Sequence, residues 1–240
     1  MTRIAIISDV HSNCFALEAV LADMKQEGID KLILLGDLFG YYPWALETYA
    51  LLDSFRKDSW FIKGNHDQLV LETEPPVPTP VYWEAAQQNR TALMTEKPEA
   101  LTWLKALQTE IRIKVGGLHI KGVHGSPDDQ LKGRIYPDTP GMEHLFSAET
   151  EILLTGHTHY PLFKSFHAGK QILFNPGSVG QSRDGNPMPS WGILTVETGL
   201  LEHRRSSYNQ FKAMELLTRI NWNKRAILAL NKTEKGKLKE

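Results

Sequence analysis

Short apolar runs that end in polar clusters recur through most of the chain. Ile4 to Ile7 leads into Ser8-Asp9, Lys31 to Leu35 into Gly36-Asp37, and Trp60 to Lys63 into Gly64-Asn65-His66-Asp67. Further on, Leu118 to Val123 precedes His124, Ile152 to Leu154 precedes Thr155-Gly156-His157-Thr158-His159, and Gln171 to Phe174 precedes Asn175. Runs of this length and β-branched content predict strands. Helical periodicity over Phe15 to Glu27 and Ala45 to Arg56 separates the first three, which predicts an α/β sheet. In open α/β sheets ligands gather beyond the carboxyl ends of strands, where all of these clusters fall.

Two segments depart from the alternation. Glu74-Pro75-Pro76-Val77-Pro78-Thr79-Pro80 is a proline-rich connector, and residues 81 to 107 read as helix broken at Pro98, an insert expected to lie over the site. Asn209 to Leu230 places Phe211, Met214, Leu217, Ile220 and Ile227 near helical spacing, which predicts a helix packing one stripe on the body. The expected organisation is a domain over 1–207 with a helical insert at about 72–108, followed by a C-terminal helix and basic tail over 208–240. Beyond Asn231 the lysine-rich composition predicts disorder.

Composition narrows the partners. The 240 residues are 41% apolar, enough for a core without covalent staples, and the net charge is −1, which announces neither a nucleic-acid nor a membrane partner. From Leu201 onward ten Lys/Arg face four Asp/Glu, giving +6 there and −7 on the rest, and a solvated basic helix accounts for that. The single Cys14 excludes an internal disulfide framework and reads as a packing residue. The N-terminus lacks the pattern of a secretory signal, and no apolar run nears the roughly 20 residues of a membrane span. A reducing cytoplasm is the expected compartment.

Asp9, His11, Asp37, Asn65, His66, His124, His157 and His159 all stand at predicted strand ends. Each has an ordinary explanation by itself: Asp9 as a helix cap, Asp37 and Asn65 as turn residues, His124 as a loop residue. Five of nine histidines in such positions, together with two aspartates and an asparagine, do not. Imidazole with carboxylate and amide oxygen, and no second cysteine, is the ligand mixture of Mn²⁺, Fe²⁺, Ni²⁺ or Zn²⁺. Two adjacent ions need a shared carboxylate, for which Asp37 is the candidate. In an extended segment His157 and His159 would face the same side and Thr158 the other.

The order Asp9-X-His11, Gly36-Asp37, Gly64-Asn65-His66-Asp67, Val123-His124-Gly125 and Gly156-His157-X-His159 resembles the calcineurin-like metallophosphoesterase superfamily over residues 4 to 178. The resemblance implies an α/β (α+β) fold, a four-layer αββα sandwich with a dinuclear metal site at one sheet edge. It implies a first ion held by Asp9, His11, Asp37 and His159, and a second by Asp37, Asn65, His124 and His157. His66 would then serve the leaving group, with Asp67 orienting it. The protein-phosphatase pattern Gly-Asp-X-Val-Asp-Arg-Gly is absent; Gly36-Asp37 continues Leu38-Phe39-Gly40-Tyr41-Tyr42-Pro43, which looks like a small prokaryotic branch.

The expected function is hydrolysis of a small, nucleotide-like phosphodiester by hydroxide supplied between the two ions. A phosphomonoesterase or protein phosphatase on the same site, a nuclease, and a non-catalytic interaction scaffold are the alternatives. Arg183, after the glycine-rich turn Asn175 to Gly180, would replace the missing phosphate clamp. Asn13 either approaches a phosphate oxygen or caps the first helix. Tyr41, Tyr42, Trp44, Tyr82 and Trp83 form an aromatic group that either stacks on a substrate or packs the insert against the body. His119, His144, His167 and His203 read as surface groups.

Overall fold

The computed structural model describes residues 1–79 and 82–234. Its elements are β1 (Arg3–Ile7), α1 (Cys14–Gln26), β2 (Leu32–Leu35), α2 (Ala45–Asp53), β3 (Trp60–Ile62), α3 (Asn65–Leu71), α4 (Trp83–Glu96), α5 (Pro98–Ala106), β4 (Glu110–Val115), β5 (Leu118–Val123), β6 (Ile152–Leu154), β7 (Pro161–Phe166), β8 (Gln171–Pro176), β9 (Ser190–Thr195), β10 (Leu200–Arg205), α6 (Gln210–Arg219) and α7 (Lys224–Ala229). The strands form two five-stranded mixed sheets in the orders β10-β9-β1-β2-β3 and β4-β5-β6-β8-β7. β1, β2 and β3 run parallel, as do β5, β6 and β8, while β4, β7 and β9 pair antiparallel to their neighbours.

Side-chain alternation along the strands builds the layers. Ile4 and Ile6 of β1 and Ile33 and Leu35 of β2 face Ile120, Ile152, Leu154 and Phe174 of the second sheet, so the two sheets share one core. Ala5, Ile7, Leu32 and Leu34 point the other way, into a core completed by Leu17, Val20 and Met24 of α1 and by apolar residues of α2 to α5. On the far side of the second sheet, Val123, Leu153 and Leu173 pack under Ile135, Met142 and Leu145 from the β5–β6 connection, which contains a 3₁₀ turn at Met142–Leu145. The result is the α/β sandwich expected, with its outermost fourth layer a loop and one short turn.

The insert divides at Pro98, which stands in the first turn of α5, where its missing N–H costs nothing. Pro80 and Val81 lie outside the described residues, as does the tail from residue 235 on, so the expected disorder beyond Asn231 is described only as far as Glu234. The single C-terminal helix expected from the apolar spacing is two helices. Asn221 is left-handed (φ 52°) and the Asn223 side chain caps α7 by accepting from the Arg225 and Ala226 amides. The packed stripe is accordingly Ala213, Leu217, Ala226 and Leu230 against Tyr42, with Met214, Trp222 and Ile227 beside it, while Phe211 and Ile220 are exposed. No helix among the described residues is long and apolar enough to cross a membrane.

Candidate metal centre

The loops after β1, β2, β3, β5 and β6 converge, and backbone hydrogen bonds stitch them together. The amides of Asp9, His11 and Ser12 donate to the carbonyls of Gly36, Asp37 and Leu38, that of Gly156 to His124, and those of Val179 and Gly180 to Ser8 and Asp9. Asp9, His11, Asp37, His157 and His159 all adopt left-handed backbone, with φ between 53° and 63°. Non-glycine residues are uncommon there, and such strain persists only where the surroundings impose it, typically at functional sites. The extended geometry expected for residues 157 to 159 is therefore corrected. The chain leaves β6 at Leu154, and two left-handed residues, not strand alternation, aim the two imidazoles. His157 meets His124 (ring centroids 5.1 Å) and His159 meets His11 (4.9 Å).

Three sets of ligand-type atoms lie within 4.8 Å of one another: Asp9, His11 and His159; His11, Asp37 and His66; Asp37, His124 and His157. His11 Nε2 is 3.0 Å from His159 Nε2 and 3.6 Å from Asp37 Oδ2. His159 Nε2 is 3.3 Å from Asp9 Oδ1. His124 Nε2 is 3.3 Å from Asp37 Oδ2 and 3.0 Å from Asn65 Oδ1. Behind them, His124 Nδ1 bonds the Leu35 carbonyl (2.8 Å) and His159 Nδ1 the Gln181 carbonyl (2.5 Å). A ring that donates its Nδ1–H to a carbonyl presents a bare Nε2 to the centre, the usual way of orienting a metal-binding imidazole.

The electrostatics suit a cation. Burial works against ionisation of Asp37, yet the imidazoles of His124, His66 and His11 hold its carboxyl well below the usual range. Burial keeps His11 and His66 neutral, His66 with a pKa of about 4, and His157 is lowered to about 3 by burial and by His124. His124 goes the other way: the carboxylates of Asp37 and Asp9 outweigh burial and raise it to about 9, so its Nε2 gives up a proton when an ion binds there. Asp9 Oδ1, Asp37 Oδ2 and His157 Nε2 are buried without a hydrogen-bond partner among the described residues. Buried polar atoms left unpaired are costly, and several converging on one point fit a bound divalent ion. Close approach is also built in, since a Cβ on Gly64 would lie 2.1 Å from Asp37 Oδ1.

The remaining sequence candidates divide. Arg183 is 6% exposed, and its Nη2 donates to the Tyr41 hydroxyl (3.2 Å) and to Gln181 Oε1 (3.4 Å). Its charge depresses the pKa of His11, His66 and His159, so it stands beside the cluster. Asn13 serves the helix-cap role. Its Oδ1 accepts from the Ala16 amide (3.2 Å) and caps α1, while Nδ2 donates to the Gly180 carbonyl (2.9 Å). Asn13→Ala is expected to lose about 1 kcal/mol of stability, the usual cost of a helix cap, in thermal unfolding, with KM within about twofold of wild type; a much larger KM would return Asn13 to the substrate.

No hydrogen bond joins Asp67 to His66 among the described residues; Asp67 Oδ1 accepts from the Phe39 amide (3.1 Å) and its Oδ2 from the Gly64 amide (2.8 Å). It closes the start of α3 and ties the β2 and β3 loops together. His66 instead packs among rings, His11 at 4.6 Å, Tyr41 at 4.5 Å and Tyr82 at 4.2 Å. The Tyr82 contact brings the start of α4 to the site. Asn89 of α4, which sequence reasoning missed, reinforces it: 1% exposed, it accepts from the Gly40 amide and donates to the carbonyls of Gly40 and Tyr42. An asparagine inside a polar helix carries no pattern that would single it out. Cys14 is buried and free. The four outlying histidines are exposed, although His203 also bonds the Asn175 carbonyl (2.8 Å) and stacks on Phe174.

This geometry joins the comparisons with known proteins at one point. Residues 2–199 match the calcineurin-like phosphoesterase superfamily domain. The chain belongs to that superfamily. It is 33% identical over 235 residues to the protein MJ0912 of Methanocaldococcus jannaschii, covering 91% of this chain and 93% of the relative. It is 25% identical over 202 residues to the phosphodiesterase YfcE of Escherichia coli K12, covering 81% and 88%. The crystal structure of a metallophosphoesterase from Sphaerobacter thermophilus superposes with a TM-score of 0.80 at 26% identity, covering 97% of this chain and 99% of that one. The superfamily is metal-dependent, and this member is a hydrolase of phosphate esters with clustered histidines and aspartates able to hold metal.

Proposed function

We propose that the chain hydrolyses a small phosphodiester whose organic part is nucleotide-like, and that two divalent ions, Mn²⁺, Fe²⁺, Ni²⁺ or Zn²⁺, complete the site. Asp9, His11, Asp37 and His159 would hold one ion, and Asp37, Asn65, His124 and His157 the other. The observation that carries this reading is Asp37, whose carboxylate belongs to two of the ligand-type sets at once. The ions, when bound, would activate water for in-line attack and neutralise charge on the phosphoryl oxygens. The diester preference draws on YfcE, a relative named as a phosphodiesterase. Residues 1–207 are taken as the catalytic unit and the lone buried cysteine as suited to the cytoplasm.

The other groups then have separate tasks. His66 sits against His11, and its buried Nδ1 has no hydrogen-bond partner among the described residues. Burial keeps the ring neutral in the free site, so it would take up its proton when a phosphate's negative charge lies beside it and pass that proton to the departing oxygen. Arg183, fixed by Tyr41 and Gln181, presents its remaining donors to a phosphate oxygen. Arg183→Ala is expected to raise KM by about 10- to 100-fold, the worth of a hydrogen bond to a charged group, with a smaller change in kcat. Kinetics equal to wild type would return Arg183 to a structural role.

Turnover of bis(p-nitrophenyl) phosphate and p-nitrophenyl phosphate with added Mn²⁺, Ni²⁺ or Mg²⁺ tests the function. Faster hydrolysis of the diester is expected. Turnover of the monoester alone would make this a phosphomonoesterase, and no turnover with any metal would favour a scaffold.

A further inference from the structure

A groove of about 390 Å³ opens between the first turns of α4 and the bend joining α6 to α7. Glu84, Ala85 and Gln88 line one side, and Asn221, Trp222 and Asn223 the other, with Ile220 at the end. Tyr41 links it to the metal-type cluster. The Trp222 Nε1–H donates to the Tyr41 carbonyl (2.8 Å), while the Tyr41 ring lies 4.5 Å from both His11 and His66. The other wall is equally tied to the site. Tyr82, packed on His66, is followed one helical turn later by Ala85 and then by Gln88 and Asn89, and Asn89 holds the 40–42 loop. One wall therefore follows directly on a residue packed against His66, and the other reaches the histidines through Tyr41.

The chemistry of the lining is selective. Among the described residues it carries a carboxylate, three amide side chains and an indole, and no lysine or arginine. A second phosphate would find no cation there, and a flat apolar aryl group would strand the amides and the carboxylate without partners. A neutral group bearing several hydroxyls satisfies both: hydroxyls donate to Glu84, exchange hydrogen bonds with the amides, and lay their C–H face on the indole. The volume lies within the 300–1,000 Å³ range of small-molecule sites. Resting on the phosphoesterase reading above, we propose that this groove is the subsite for the organic part of the substrate and that it selects a vicinal-hydroxyl, sugar- or glycerol-like group. Glu84, Gln88 and Asn221 would be its specificity-determining residues.

The test is calorimetric titration of the Mn²⁺-supplemented protein with three phosphonates, whose C–P bond resists hydrolysis: methylphosphonate, benzylphosphonate and 3,4-dihydroxybutylphosphonate. The dihydroxy ligand should bind at least about tenfold more tightly than the other two, the value of one or two hydrogen bonds gained. In the double variant Glu84→Gln, Gln88→Ala that ratio should fall to within about twofold; both residues are exposed, and a thermal midpoint confirms the fold. Should the double variant fail to fold, Gln88→Ala alone is read, with a partial fall expected. Equal binding of all three ligands, tighter binding of benzylphosphonate, or a ratio that survives the substitutions would overturn the assignment. Absent turnover of both nitrophenyl esters with the ratio intact would defeat the phosphoesterase reading and leave the groove standing as a polyol-phosphate site.

Discussion

Asp37→Asn is expected to lose affinity for both metal ions together and to lower kcat/KM on bis(p-nitrophenyl) phosphate by about 10³-fold or more, of the order found when a group stabilising transition-state charge is removed. The substitution is nearly isosteric, so the loss would be chemical. Asp37 Oδ1 accepts the His66 amide (2.9 Å), and Oδ2 is turned towards His11 Nε2 and His124 Nε2. An amide in its place can keep the backbone bond while removing the negative charge that both ligand sets share. His159→Ala should behave differently, weakening only the set that contains Asp9 and His11. Elemental analysis of the purified variants separates the two outcomes, and a full complement of metal in Asp37→Asn would sink the shared-carboxylate assignment.

His66→Asn is expected to keep the bound metal and the fold but to lose about 10²- to 10⁴-fold in rate, the usual contribution of a positioned general acid. The size of the loss should follow the leaving group. p-Nitrophenolate departs without a proton, whereas the alkoxide of a ribose or glycerol does not, so the defect should be larger on an alkyl diester than on the aryl one. An equal defect on both, with metal intact, would make His66 a phosphate-binding residue. A lost metal would make it a ligand, which its proximity to His11 and Asp37 also permits.

What the sequence revealed and what it hid follow from different kinds of interaction. The parallel strands β1, β2, β3, β5, β6 and β8 were legible because each is a compact apolar run ended by a polar cluster, and those clusters are the site. β9 was not: Ser190–Thr195 is buried along its whole length, and Gly192 within it lies against the Phe174 ring, a close approach that only the two-sheet packing explains. The ligand-type residues were legible from their order, yet the backbone conformation that aims them was not. Left-handed residues at Asp9, His11, Asp37, His157 and His159 are imposed by bonds between loops far apart in the chain. Asp67 and Asn13 look like active-site polar groups in sequence and prove to be spent on backbone amides and a carbonyl, because converging turns leave many backbone groups to satisfy. At the C-terminus, helical spacing suggested one continuous stripe, and the Asn221–Asn223 bend turned Phe211 and Ile220 away from it.

The most direct test of the account is the metal content of the wild-type protein, saturated with Mn²⁺, dialysed free of unbound ion and measured by elemental analysis against protein concentration. Two ions per chain are predicted, falling to none or a small fraction in Asp37→Asn. A wild-type protein that turns over bis(p-nitrophenyl) phosphate at full rate with one ion per chain, or with none, would contradict it.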